Sequence, residues 1–402
     1  MKKTIISFLF IFIILIIPEQ ILAAEDSFND KSQQHLEEQS SNIMDESDAY
    51  QEEYIEYPTE FYQAKVLEVI EKPLEDTSLL EQGFPEVYQV VKLKILDGKF
   101  QGQDHTIDHI NMGNAAYDIW VDQGDKVMLF AELTEDSTDI MNLYISDFVR
   151  WPYLRNLTIL FIVLLIMIGK WQGFKSLIGL GVTALAVIGF LLPMMLKGYS
   201  PIILAILVCI FSSIVTIIIV GGFSIKSLTA ILGTLSGVLI AGILSFIFGN
   251  TVKLTGLSAQ EAQMLMYIPQ GIIFDFRGLL FAGIIIGALG AVMDVSMSIS
   301  SAMDEIRSNN TSIHTKDLVK SGLVVGRDIM GTMSNTLILA YTGSAIPLLL
   351  LFMAYETSII SVINMDLIAT EIVRALTGSI GLLTSIPITA IMYGLLRKRE
   401  EG

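Results

Sequence analysis

Acids rarely sit inside stretches of unbroken apolar residues, and this chain has two such sites. The run "GIIIGALGAVMDVSMSIS", Gly283 to Ser300, carries Asp294. On a helix, Gly283, Gly287, Gly290, Asp294, Ser298 and Ser301 recur at spacings of three and four and so share one stripe. Gly283 and Gly287 form a small-xxx-small pair of the kind that lets helices approach closely in lipid. The stripe is therefore expected to pack against a neighbouring helix, with Asp294 turned into the bundle. Facing hydrocarbon, the acid would cost about 3 kcal/mol or more.

The second site is "GRDIMGTMSNTLILAYTGSAIP", which places Asp328, Thr332, Asn335 and Thr342 on a similar stripe with Gly331 beside it. Two carboxylates at similar depth in a low dielectric share a proton or hold a cation. Asp294, Asp328, Thr332 and Asn335 are thus candidates for a polar path, with the acidic pair at its inner mouth. The competing reading is two helix-end acids wetted by the interface, Asp328 being favoured at a helix N-terminus.

Other combinations carry less. Asp275 and Arg277 in "PQGIIFDFRG" are candidates for an outer gate or an interface anchor; two apart, they do not share a helix face. Glu371 and Arg374 have the i,i+3 spacing of a mutually neutralising pair. His105 and His109 in "DHTIDH" suit zinc only on a helix, and the segment reads as strand. "GLVVGRDIMGT" lacks the Lys-Ser/Thr that completes a phosphate loop. His314 stands in a charged loop. No nucleophile elbow or zinc-protease motif occurs, so no catalytic, cofactor-binding or metal residue is expected and the chain is not read as an enzyme.

These sites need a membrane around them. Of 402 residues, 52% are hydrophobic and 17% charged, against about a quarter charged in soluble domains. From Asn156 onward, seven apolar spans are expected at about 156–169, 176–195, 201–221, 227–248, 272–297, 328–353 and 370–395. Trp151 and Tyr153 would extend the short first span at the interface. With residues 61–149 outside, Lys170, Lys175, Lys226, Arg307, Lys316, Lys320, Arg327, Arg397, Lys398 and Arg399 fall inside, and only Lys197 and Lys253 in short outer loops. That bias predicts a cytoplasmic C-terminus in a multi-pass protein of the cell membrane.

The polar remainder divides into three parts. Residues 1–24 have two lysines, an apolar core and Ala23-Ala24, the pattern of a signal peptide or an uncleaved signal anchor. Residues 25–60 hold twelve acids and one lysine, a solvated acidic linker that accounts for much of the net charge of −17. Residues 61–149 alternate as strands, as in Val91, Leu93 and Ile95 against Lys92 and Lys94 before the Asp97-Gly98 turn, and predict a small mostly-β barrel or sandwich. Residues 150–396 then form the transmembrane domain and 397–402 a cytoplasmic tail. Cys209 is the one cysteine, so no intrachain disulfide supports the external domain. No basic, aromatic-interleaved patch invites nucleic acid. The expected partners are the bilayer, a protein docking on the β domain, and a second copy or a related membrane protein.

"GDKV" (Gly124 to Val127), "LFAGIIIGALGAVMDVSMSISSAMDEI" (Leu280 to Ile306) and "GRDIMGTMSNTLILAYTGSAIPLLLL" (Gly326 to Leu351) resemble the YibE/F family of bacterial membrane proteins over residues 61–395. The resemblance implies a multi-pass class without an established activity. It places Asp294, Asp328, Gly331, Asn335 and Tyr341 in the family's characteristic segments, so Tyr341 joins the candidate path. Two functions follow from different classes. One is a permease-like or channel-like protein with its path between the fifth and sixth spans. The other is a non-transporting scaffold or export accessory acting through its β domain, with the glycines serving packing alone.

Overall fold

The computed structural model describes residues 57–74, 85, 87–114, 116–268, 274–355 and 358–400. The signal segment and most of the acidic linker lie outside these residues. The described residues divide into two compact units, one up to residue 163 and the other from residue 164.

The first unit is a five-stranded antiparallel sheet of β1 (Thr59–Pro73), β2 (Val87–Ile95), β3 (Asp104–His109), β4 (Lys126–Leu133) and β5 (Ile140–Phe148), in the order β3-β2-β1-β4-β5. Period-two alternation builds it: Tyr62, Ala64 and Val66 of β1, Val91, Leu93 and Ile95 of β2, and Val127, Leu129, Ala131 and Leu133 of β4 all point to one buried face. Three consecutive strands followed by a fourth that returns beside the first make a Greek key. The register of β1 on β2 shifts between Val66 and Glu68, a bulge that bends the long central strand. The edge strands β3 and β5 approach one another, so the sheet curls into a half-barrel. "DHTIDH" is strand β3, where His105 and His109 lie four residues apart along an extended chain. Gly98 turns the chain with φ +71°, in a place where a β-carbon would overlap the Tyr62 ring.

The second unit is helical. It begins inside α1 (Trp151–Ala186), continues through a π-helical turn (Val187–Leu191) and α2 (Leu192–Leu196), and goes on to α3 (Pro201–Gly221) and α4 (Ile225–Thr251). Then come the short α5 (Gln260–Met264), α6 (Phe276–Asn309), α7 (Thr315–Ser344), α8 (Ile346–Ala354), the short α9 (Ile359–Ile363) and α10 (Asp366–Glu400). Start signals are local: Ser224 accepts from Ser227 N to cap α4, and Asp275 accepts from Gly278 N to cap α6.

Among the described residues, five helical stretches are long and apolar enough to cross a membrane, or six if α7 and α8, bent by 57°, count as one span. The seven expected spans differ from this count in one place. Residues 156–169 and 176–195 fall within a single stretch, Trp151–Leu196, of 46 residues. At 1.5 Å per residue that is about 69 Å, roughly twice a hydrocarbon core. The stretch is broken at Lys170, which has φ 48° and ψ −129°. Just beyond it, a β-carbon on Gly173 would overlap the carbonyl of Leu165. Residues eight apart in a straight helix are about 12 Å apart, so the chain folds back at Lys170.

The tightest helix pair is α4 with α10. Thr229, Gly233, Gly237, Ala241, Ser245 and Gly249 recur every four residues on α4, and Val373, Thr377, Gly381, Ser385, Thr389 and Tyr393 do the same on α10; all are buried. The two ridges meet antiparallel, with Ser245 Oγ donating to Thr377 Oγ1 at 2.9 Å. A β-carbon on Gly237 would stand 2.7 Å from the Gly381 carbonyl oxygen, and one on Gly381 would stand 2.6 Å from that of Gly237. In lipid no hydrophobic difference drives helices together, so close backbone approach and small hydroxyls supply the packing.

Candidate functional site

Helix α6 is the hub of this bundle, and the 100° step between residues sorts its neighbours. Phe281, Ile285, Val292 and Ser296 meet Gly249, Gly242, Gly237 and Gly233 of α4. Ile299 and Met303 meet Gly326 and Gly322 of α7, Ser296 meets Thr389 of α10, and Met297 reaches Gly221 of α3. One sector is left over. Gly283, Gly287, Gly290, Asp294 and Ser298 are exposed along the whole middle of the helix, with Ser301 half-buried at its end. Among the described residues, the glycine stripe expected to pack against another helix of the chain does so only at Gly287. A β-carbon there would lie 2.9 Å from the Tyr341 hydroxyl, whereas at Gly283 and Gly290 it would meet nothing within 4 Å. Asp294 accordingly points away from the bundle core. The physical reason is that α4 and α10 already cover the opposite face of α6 with their own small-residue ridges.

Beside this sector runs the polar side of α7. Asp328, Gly331, Thr332 and Asn335 are exposed, and Gly331 has open space where a β-carbon would go. Thr332 Oγ1 donates to the Ile329 carbonyl at 2.9 Å. The contacts Met303–Gly322, Ile299–Gly326 and Gly287–Tyr341 set an antiparallel register between α6 and α7. Along it Asp294 is level with the stretch 331–334, next to Asn335, and Asp328 is level with Ser298. The two acids are therefore about one turn apart in depth, each about 20 Å from the helix ends at the α6–α7 loop. Asp294 on α6 and Asp328, Gly331, Thr332 and Asn335 on α7 are thus exposed at similar depths on two helices packed antiparallel, beside the stripe Gly283, Gly287 and Gly290.

Tyr341 lies against Gly287 of this stripe. It is half-buried, and Arg374 of α10 stands 6.0 Å from its ring centroid while pairing with Glu371 at 2.8 Å. Glu371 and Arg374 make the local i,i+3 pair that their spacing predicts. Of the expected outer pair, the Asp275 carboxylate is committed to the α6 N-terminus, accepting from Gly278 N at 2.8 Å, and Arg277 is exposed.

Sequence reasoning passed over the polar lock at the other end of the bundle. The hydroxyl of Tyr393, fully buried on α10, donates to Asp304 Oδ1 of α6 at 2.8 Å. Arg307, one turn further on, donates to the Ile313 carbonyl in the loop before α7 at 2.8 Å. The four-residue ridge ending at Tyr393 was the available signal.

Acids, an amide and hydroxyls at one depth on adjacent helices can bind or relay a small polar solute, a cation or a proton. They include no nucleophile–base pair, and among the described residues no cluster of three metal-ligating side chains occurs.

Comparison with protein-family models matches residues 157–399 to the YibE/F-like protein family and residues 60–148 to the YibE/F family N-terminal domain. Searches of curated proteins and of solved structures return no significant match. The two family matches join the half-barrel and the helical unit as parts of one architecture, and the chain belongs to the YibE/F family.

Proposed function

We propose that this chain is a permease-like or channel-like protein of the cell membrane, with its polar path along α6 and α7. The observation that carries the reading is the shared depth of Asp294, Asp328, Thr332 and Asn335 on adjacent helices, in segments otherwise apolar enough to span a bilayer. Polar groups at that depth are costly and mark pathways in membrane proteins. The fold-back at Lys170 supports counting residues 151–169 and 171–196 as two crossings, which with α7–α8 as one span gives seven. In this reading the half-barrel lies outside and the C-terminus inside, which an odd number of crossings and the lysine and arginine distribution support. The test is flux of protons, monovalent cations and small polar solutes through the purified chain in liposomes. Wild type should carry at least one of them, and Asp294→Asn should slow it at least tenfold. A wild-type chain that passes none of these sinks the reading.

A second reading has its own observation. Phe61, Phe130 and Tyr144 form a row across β1, β4 and β5, with ring centroids 5.4 and 6.4 Å apart, and Phe61 and Tyr144 are exposed. Ile110, Met112, Tyr117 and Trp120 are exposed in the β3–β4 connection. Such surface aromatics suit a protein partner, as a scaffold or export accessory would require. Capture of one membrane or envelope protein, lost in Phe61→Ser with Tyr144→Ser, would favour it over transport.

A further inference from the structure

We propose that the fold-back at Lys170 and the adjoining α3–α4 turn bind the headgroup of an anionic phospholipid, held by Lys170, Lys175 and Lys226 and bordered by Trp171, Phe174 and Phe223. The first observation is the charge of this part of the chain. Between Asp147 and Glu261 the sequence has no acid, yet it has Arg150, Arg155, Lys170, Lys175, Lys197, Lys226 and Lys253. The net charge of −17 is thus carried entirely by other segments. Among the described residues Lys170, Lys175 and Lys226 form no ion pair, whereas Lys99, Arg150, Lys320 and Arg374 each have a carboxylate.

The second observation is that the packing gathers these three lysines at one end of the bundle. Lys170 turns the chain with φ 48°, and the arm of α1 beyond it runs along α3. Gln172 Nε2 donates to the Val220 carbonyl at 3.0 Å, and a β-carbon on Gly179 would stand 2.8 Å from the Thr216 side chain, which sets that arm antiparallel to α3. Helix α3 ends at Gly221 and α4 starts at Ile225 under its Ser224 cap, so Lys226 lies in the first turn beyond the same end. Lys175 is three residues past Gln172, about 4.5 Å along the axis, which a lysine stem can span.

The third observation fixes the occupant. Trp171 and Phe174 stack with ring centroids 5.4 Å apart, and they and Phe223 are exposed. Aromatic rings at the ends of membrane helices sit at headgroup level. The bilayer that the apolar helices require therefore brings phosphates to this corner. Ammonium groups without a protein counter-ion favour a headgroup of net negative charge over a zwitterionic one, whose own cation offsets the phosphate.

The test uses the full chain in liposomes, with Trp120→Phe and Trp151→Phe so that Trp171 is the one fluorescent tryptophan. Brominated phosphatidylglycerol and brominated phosphatidylcholine quench it in proportion to their occupancy beside it. The phosphatidylglycerol should bind with at least threefold higher relative affinity. Lys170→Gln, Lys175→Gln and Lys226→Gln should each lower that ratio, and together bring it to about one, while quenching by phosphatidylcholine persists and reports an inserted chain. Lys197→Gln, just past α2, should leave the ratio unchanged. Equal affinity for the two lipids in the parent chain, or a preference that survives the triple substitution, overturns the proposal. So does a preference abolished by inorganic phosphate but not by chloride at equal ionic strength, which would make this a site for a free anion. A preference that emerges only when residues 25–56 are deleted would give the lysines to the chain's own acidic segment and overturn it too. No flux enters the test, so its result and that of the transport assay stand apart.

Discussion

The hydroxyl of Tyr341 on α7 stands 2.9 Å from the point where a β-carbon on Gly287 of α6 would lie. This contact ties the glycine stripe of α6 to the Glu371–Arg374 pair of α10, since Arg374 lies 6.0 Å from the same ring. Gly287→Ala should push the phenol aside, whereas Gly290→Ala adds a methyl where no described residue lies. The check is the thermal midpoint of the two variants in detergent. Cys209, 1% exposed, serves as a thiol-dye reporter of unfolding. The expected loss is about 1 kcal/mol for Gly287→Ala, the scale of a modest overpacking, and none for Gly290→Ala.

Gly237 and Gly381 should be far less tolerant. Each β-carbon would meet the other residue's carbonyl oxygen, at 2.7 and 2.6 Å. Backbone cannot yield as a side-chain tip can, so Gly237→Val should cost about 3 kcal/mol or more or prevent accumulation of folded protein. Gly283→Val should accumulate as wild type, and membrane-fraction yield with the same dye assay separates the two.

Tyr393→Phe keeps the buried ring and removes its hydrogen bond to Asp304. A bond to a charged acceptor is worth about 1.5–3 kcal/mol, so the variant should unfold at a lower temperature. Asp304→Asn retains an acceptor and should cost less. Equal losses from both would deny the bond its stabilising role.

In the half-barrel, burial and the Glu60 carboxylate push the Tyr62 phenol up to about 12, and the Tyr62 hydroxyl in turn holds the Glu60 carboxyl below its usual value. A phenol raised on folding favours the protonated native state. Its contribution is complete below the ordinary tyrosine value near 10 and disappears as pH rises from there to about 12. Glu60 works the other way, its contribution fading as pH falls through the carboxylate range. Ultraviolet titration should show one late-ionising tyrosine that Tyr62→Phe removes; a difference spectrum with a midpoint near 10 would contradict this.

Local pattern alone settled much of this protein. The alternation in "YQVVKLKIL" yields β2 with Val91, Leu93 and Ile95 inward, and the turn falls at Asp97-Gly98. Apolar length marked α3 at 201–221 and α4 to within three residues, whereas α6 runs on to Asn309 beyond the expected end at 297 and α7 begins at Thr315, well before the expected 328. These features rest on interactions between residues close in sequence, so composition and period suffice to read them. The family motifs likewise reside in contiguous residues.

Two other features were decided by tertiary structure. Apolar length and the lysines at 170 and 175 predicted two spans in 151–196, but the helix runs on past both boundaries, and only the backbone at Lys170 shows where it breaks. Small-residue stripes at helical spacing occur on α4, α6 and α10 alike, and only packing shows that those of α4 and α10 close on each other while that of α6 stays open. In a soluble protein polarity would have told the inside from the outside. In a membrane both are apolar, so which face is buried depends on which backbones can approach most closely, and that is a property of pairs of helices rather than of any one sequence segment.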